Sequence, residues 1–289
     1  MVQLDPTWLD ASAPWNVKAR RAARHLTELR QEVDAFRSRR PFALTPEPTD
    51  TPGRLAYRLK FREPIPADLS AIVGDVLHNL RSALECVAYE LAQRTRGAAL
   101  TPTEERATTF PIRPTPESFE EFFTENKRRS TLFDARSRTA LRRVQPFWLA
   151  DQARELNIDL NDSVDRVAWD ELTRLDALWN IDKHRRLTVT AWWPEIIYWG
   201  SNGESQRKAY RGDGTVADGS ILLYVDGTDE GQGDELSYEF NLTLTDDPAR
   251  HANPNAGQDV VQLLGSWHSR IVNWVFPTIY TALASAPTR

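Results

Sequence analysis

Residues 67–96, ADLSAIVGDVLHNLRSALECVAYELAQRTR, decide the fold. Leu69, Val73, Val76, Leu77, Leu80, Leu84, Val87 and Leu91 recur at three- and four-residue spacing. That period puts them on one face of an α-helix as a continuous apolar stripe. Gly97 then supplies a stop, because glycine takes the left-handed conformation that closes a helix without steric cost. A stripe of this length needs several neighbours to cover it, so the spacing predicts a central helix with other elements packed around it. Ionisable residues interrupt the apolar pattern. His78, Arg81 and Glu85 fall together on one flank, and Asp75, Asn79, Ser82 and Cys86 lie opposite the stripe.

Working outward, residues 15–38 read as a helix through Leu26, Leu29, Val33 and Phe36, with arginines on the remaining faces. Pro41 and the three prolines between Thr45 and Pro52 predict a loop. Arg54 to Phe61 alternates apolar and polar residues and reads as a strand. Thr115-Pro116-Glu117 predicts a helix start, since proline at the first helical position gives up no bond, and that helix should run to about Lys127. Further helices are expected from about Asp134 to Gln145 and over 164–183. After Arg186 the texture changes to β-branched and aromatic runs at 187–193, 196–199, 220–225 and 236–244, separated by glycine- and aspartate-rich turns. A final helix over about 257–283 should bend at Pro277. The order predicts one intertwined α+β unit. Its helical part covers about 15–186 and 257–284, and a small antiparallel sheet at about 187–245 is inserted before the long C-terminal helix. Strand 54–61 is a candidate to join that sheet.

The 289 residues are 40% hydrophobic and 27% charged, enough apolar material for a sizeable core. A single cysteine, Cys86, excludes an internal disulfide framework and any multi-cysteine zinc site. No apolar run approaches the roughly 18 residues of a membrane helix, and Met1 to Asp5 carries no signal-peptide pattern, so a cytoplasmic protein is the expectation. The net charge of −5 is unevenly spread. Residues 17–40 and 127–143 are basic, whereas Arg211 to Asp247 holds ten acids and one base. A basic helical half invites a phosphate backbone; solvated helix faces are the plainer reading.

The second polar cluster is Asn180-Ile181-Asp182-Lys183-His184-Arg185. Continuing the inner stripe Leu175, Leu178 and Trp179 by one helical step lands on Asp182, which should therefore point inward. A buried carboxylate has to be paired or protonated. Arg81 is the bidentate partner expected for it, with Glu85 at i+4 as the local alternative, and His184 is then expected near His78. Such a cluster has three uses: a helix-fixing ionic network, a site for an anion or phosphate, or a metal site. The spacing matches no strong metal motif, and no metal is assigned. Trp192, Trp193 and Trp199 suggest either sheet core or a stacking platform. His251 and His268 stand alone and read as structural, and Cys86 reads as an inert thiol. No phosphate loop, nucleophile elbow or HExxH pattern is present.

Taken together, four runs resemble a set of bacterial proteins without an assigned activity: His78-Asn79-Leu80-Arg81-Ser82-Ala83-Leu84-Glu85-Cys86, Phe110-Pro111-Ile112, Gln145-Pro146-Phe147 and Asn180 to Arg185. The first run in that set has the form His-Asn-x-Arg-Ser-x-Leu-Asp-His. It is more loosely similar to the HEPN superfamily, helical domains that often act as metal-independent ribonucleases in toxins and phage defence. Their signature is an arginine followed four to six residues later by a histidine, usually assembled across a dimer; here Cys86 stands at the histidine position. The resemblance implies a cofactor-free ribonuclease or phosphate-binding protein acting on RNA or another anionic ligand, with a homodimer as its form. Arg81, His78 and His184 would be its catalytic residues, and Asn79, Glu85, Asp182, Lys183 and Arg185 would support them. The alternative is a non-catalytic binding or structural module whose Arg81–Asp182–His184 network only holds helices together.

Overall fold

The computed structural model describes residues 10–148, 155, 163–184, 188–192, 216–226, 240–244 and 257–284. It is an α+β structure, a helical bundle carrying small antiparallel sheets. Helix α1 (Pro14–Ser38) opens with proline in its first turn and buries Trp15, Ala19, Ala22, Leu26, Leu29, Val33 and Phe36. Strands β1 (Phe42–Pro48) and β2 (Arg54–Phe61) form a hairpin. Helix α2 (Asp68–Arg96) follows and ends at Gly97, whose φ of 68° is the left-handed cap expected there. Short helices α3 (Pro102–Ala107), α4 (Pro116–Thr124), α5 (Lys127–Leu132) and α6 (Ala135–Arg142) come next. Then come α7 (Ser163–His184), β3 (Val189–Trp192), β4 (Ile221–Asp226) and β5 (Asn241–Leu244). The last stretch is α8 (Val260–Arg270), a π-helical turn at Ile271–Val275, and α9 (Phe276–Ala284).

Helix α2 is the axis. It packs along α1 and also against α5, α7 and α8. Leu77, Leu80, Ala83, Leu84, Val87 and Ala88 have no exposed surface at all, and the buried residues of the described elements form one hydrophobic cluster. Each fully buried leucine or valine contributes about 1.5–3 kcal/mol relative to exposure, which is why this stripe, rather than local propensity, holds the helix.

Two small sheets flank the bundle. In the first, the order is β1-β2-β4, all antiparallel; Phe42 faces Phe61 across one pair and Ala56 faces Tyr224 across the other. Strand 54–61 thus joins a later strand, as its alternation suggests. The second sheet pairs β3 with β5, Ala191 opposite Leu242. It is fastened to α2 by a buried bond from the Val189 N–H to Ser70 Oγ, at 3.2 Å. Phe42 joins the layers: its ring lies 5.8 Å from Phe36, 4.9 Å from Phe61 and 4.8 Å from Phe240.

Two local expectations need correction. The prolines at 46 and 48 do not make a loop; they lie in β1, the outer strand. Being two residues apart, they remove N–H groups that point the same way, toward the open edge. The alternate residues face β2, as the Thr49 N–H shows by bonding Arg54 O. The helix expected from 116 to 127 breaks after Thr124, and Asn126 caps a new helix, α5, by accepting from the Arg128 N–H. The C-terminal helix meets Pro277 by widening into a π turn just before it. The expected strand at 196–199 lies outside the described residues.

Asp259 joins the two ends of the chain's helical half. Its Oδ1 accepts the N–H groups of Val261 and Gln262 at the start of α8, while Oδ2 sits 2.8 Å from Arg37 Nη2 near the end of α1. Replacing Asp259 with alanine removes a helix cap and one half of a largely buried ion pair, and should cost about 3 kcal/mol. Asp259→Asn keeps the cap and should lose less than half of that, measured by urea unfolding.

Candidate functional site

Helices α2 and α7 run antiparallel and place the two polar clusters against each other in tiers. On one tier Arg81 meets Asp176, and on the other Gly74 meets Asp182. Moving seven residues up α2 corresponds to moving six down α7. Pairing Arg81 with Asp182 would require a slip of six residues, about 9 Å along the helix axis. The expected Arg81–Asp182 pair is therefore replaced by Arg81–Asp176.

Arg81 is only 5% exposed. Its Nη2 lies 2.8 Å from Glu85 Oε1 and donates to the Phe110 carbonyl at 3.1 Å. Its Nε is 3.0 Å from Asp176 Oδ1, a short contact lying off the hydrogen-bond axis and hence Coulombic in character. The guanidinium carbon is 5.1 Å from the centre of the Trp179 ring, and Lys183 Nζ is 3.1 Å from the same ring. Two carboxylates and an indole therefore surround one cation, the environment a buried charge needs.

The same side chains also satisfy a segment that lacks secondary structure. Thr109 to Arg113 connects α3 to α4 without regular secondary structure, and its buried backbone groups need partners. Glu85 accepts from the Phe110 N–H at 3.0 Å and from Thr109 Oγ1 at 2.9 Å, while Arg81 donates to the Phe110 carbonyl. The ion pair thus holds both backbone polar groups of one residue, Phe110. Gln145, with no exposed surface, repeats the device one step on. It donates to the carbonyls of Pro111 and Leu141 and accepts from the Arg113 N–H, all at 2.9 Å. The runs around Arg81, Phe110 and Gln145 are therefore one connected structure. Gln145 and Asp176 are the members that spacing did not single out. Asp176 had a usable signal, because it stands at the border of the Leu175–Leu178 stripe.

Asp182 lies on the outer tier, half-buried. A Cβ on Gly74 would come within 2.9 Å of its Oδ2, so glycine there is what lets the carboxylate reach α2. Burial raises the Asp182 pKa above its ordinary value, the charge of Asp75 raises it further, and His78 opposes both. His78 is exposed, with Nε2 3.4 Å from Ser82 Oγ. Asn79 is buried and bonds back to the Asp75 carbonyl at 2.8 Å, a helix-internal role. Lys183 is exposed on the rim. The side chain of His184 and the whole of Arg185 lie outside the described residues, as do the Trp192 side chain, Trp193, Trp199 and His251. Cys86 is half-buried, and burial pushes its thiol pKa up, so the thiol is a poor nucleophile at the position where the resembling proteins carry histidine. Among the described residues, no three of His, Cys, Asp and Glu converge as metal ligands.

The basic run 127–143 is in large part structural. Arg129 lies over Phe122 at 4.3 Å, Arg138 over Phe123 at 4.9 Å and Arg142 over Phe147 at 5.1 Å. Arg129 and Arg138 also donate to backbone carbonyls, and Arg142 pairs with Glu120 at 2.8 Å. Among the described residues, no helix is long and apolar enough to cross a membrane. Compared with protein-family models, curated proteins and solved structures, the chain matches none.

Arg81→Ala should cost about 3 kcal/mol, the lower end of the range for breaking a buried pair, because Glu85 and Asp176 are each about a third exposed and regain some water. Arg81→Lys should not restore stability, since one ammonium cannot reach both carboxylates and the Phe110 carbonyl; unfolding curves decide both. Asp182 carries a pH signature. Its folded pKa lies above its unfolded one, so the unfolded state binds fewer protons between the two values and stability falls as pH rises through that window. Asp182→Asn should therefore melt higher than wild type at pH 7, with the difference closing as the pH falls below the raised pKa.

Proposed function

We propose that this protein is a non-catalytic binding or structural module and that the Arg81 network is its internal lock. The observation that carries the reading is the state of Arg81: sealed from solvent, next to two carboxylates, with a backbone carbonyl as a further partner. A phosphate clamp needs a cation that substrate can reach, and transition-state stabilisation needs donors aimed at the reacting oxygen. Arg81 is instead aimed at the protein's own peptide group. The stacking of Arg129, Arg138 and Arg142 on phenylalanines supports the same view, because those guanidinium groups act as packing surfaces as much as charges.

A second reading rests on the outer tier. His78 is exposed, Asp182 beside it is held above its ordinary pKa, and Lys183 stands on the same rim. That combination places an imidazole, a carboxyl group and a positive charge together, groups that metal-independent RNA cleavage can use without Arg81.

One experiment separates the two. The purified chain is incubated with structured and single-stranded RNAs, with and without divalent metal, beside His78→Ala and Lys183→Ala. The module reading expects no cleavage above background in any of them. Cleavage by wild type that disappears in His78→Ala, with melting unchanged, would overturn it in favour of the rim.

A further inference from the structure

We propose that the cavity between the first half of α1 and the α8–α9 helix binds a small apolar carboxylic acid, its hydrocarbon body inside and its carboxylate at Arg20. The cavity measures about 450 Å3, within the roughly 300–1,000 Å3 typical of ligand sites. Its walls are chiefly Ala19, Ala23, Val272, Phe276, Pro277 and Tyr280.

The space has a cause in the sequence. Ala19 and Ala23 are one helical turn apart and lie on the same face of α1, so the helix presents two methyl groups where leucines would fill the gap. Opposite them, the helix opens into the π turn Ile271–Val275 and meets Pro277, which has no N–H to donate. Proline in a helix interior costs about 3 kcal/mol, and π turns recur at functional sites. A local departure from helix rules placed in a cavity wall is the kind that function retains.

The polar groups select the ligand. His268 Nε2 lies 3.1 Å from the Ala19 carbonyl oxygen, which can only accept, so Nε2 carries the proton and Nδ1 is left as an acceptor. Burial holds the His268 pKa below its ordinary value, which favours the neutral ring. The remaining charge in the lining is Arg20, exposed at the mouth; no acid lines the cavity, and among the described residues Arg20 has no ion-pair partner. One accessible cation beside apolar walls matches a monoanion with a hydrocarbon body. This site shares no residue with the Arg81 network and stands independently of the function proposed for it.

Calorimetric titration of the full chain with octanoate and with 1-octanol tests the proposal. Octanoate should bind saturably at one site, and Ala23→Phe should weaken it tenfold or more by filling the cavity. Thr281→Phe, from the opposite wall, serves the same purpose if Ala23→Phe does not fold. Arg20→Gln should weaken octanoate several-fold and leave octanol unchanged. Absence of saturable octanoate binding, or binding indifferent to both wall variants, overturns the site. Equal affinity for acid and alcohol, insensitive to Arg20→Gln, overturns the carboxylate assignment. Self-association of the chain that octanoate reverses assigns the cavity to a second copy and also overturns it.

Discussion

A guanidinium group with almost no access to water must find its solvation inside the protein, and the centre of this structure is organised around that requirement. Arg81 sits on the axis helix between Glu85 and Asp176, and the same charges hold the Phe110 backbone by its N–H and its carbonyl. Ion pairs of this kind contribute little net stability over a well-packed apolar substitute. What they contribute here is position: α2, α7 and the extended segment before α4 are tied in one geometry, because any other register leaves a charge unpaired.

The same geometry separates Arg81 from the neighbouring polar positions of its helix. Positions five residues apart on a helix lie about 140° from each other, so Arg81 and Cys86 fall on different faces of α2. Arg81 is turned into the bundle, and Cys86 is a half-buried thiol. The groups that remain outside, His78, Asp182 and Lys183, form a separate tier with its own electrostatics, in which the proximity of Asp75 favours the protonated state of Asp182.

Much of the architecture was legible from apolar periodicity alone. The stripe Leu69–Leu91, the Gly97 stop and the strand Arg54–Phe61 appear in the structure close to the expected limits, because burial of one face fixes them regardless of context. The Arg81–Glu85 pair was legible from its i+4 spacing, but the partner on α7 was not, since helix registry depends on how α2 and α7 seat, and nothing local in either sequence states that offset. The role of Gln145 was equally hidden. Its partners are all backbone groups, two of them more than thirty residues away, and backbone atoms leave no trace in side-chain patterns. The β1 prolines misled for the opposite reason: proline's local rule is strong, but its penalty vanishes where the missing N–H would have faced outward.

Those two prolines have a consequence beyond the hairpin itself. A sheet of three strands ordinarily leaves a row of donors and acceptors along its rim, which another extended chain can copy, and this is a common route to aggregation. With Pro46 and Pro48 both lacking donors on that side, the β1 rim cannot complete a ladder with an incoming strand. Growth of the sheet by strand addition is impeded at β1, where an incoming strand finds two of the outward donor positions missing.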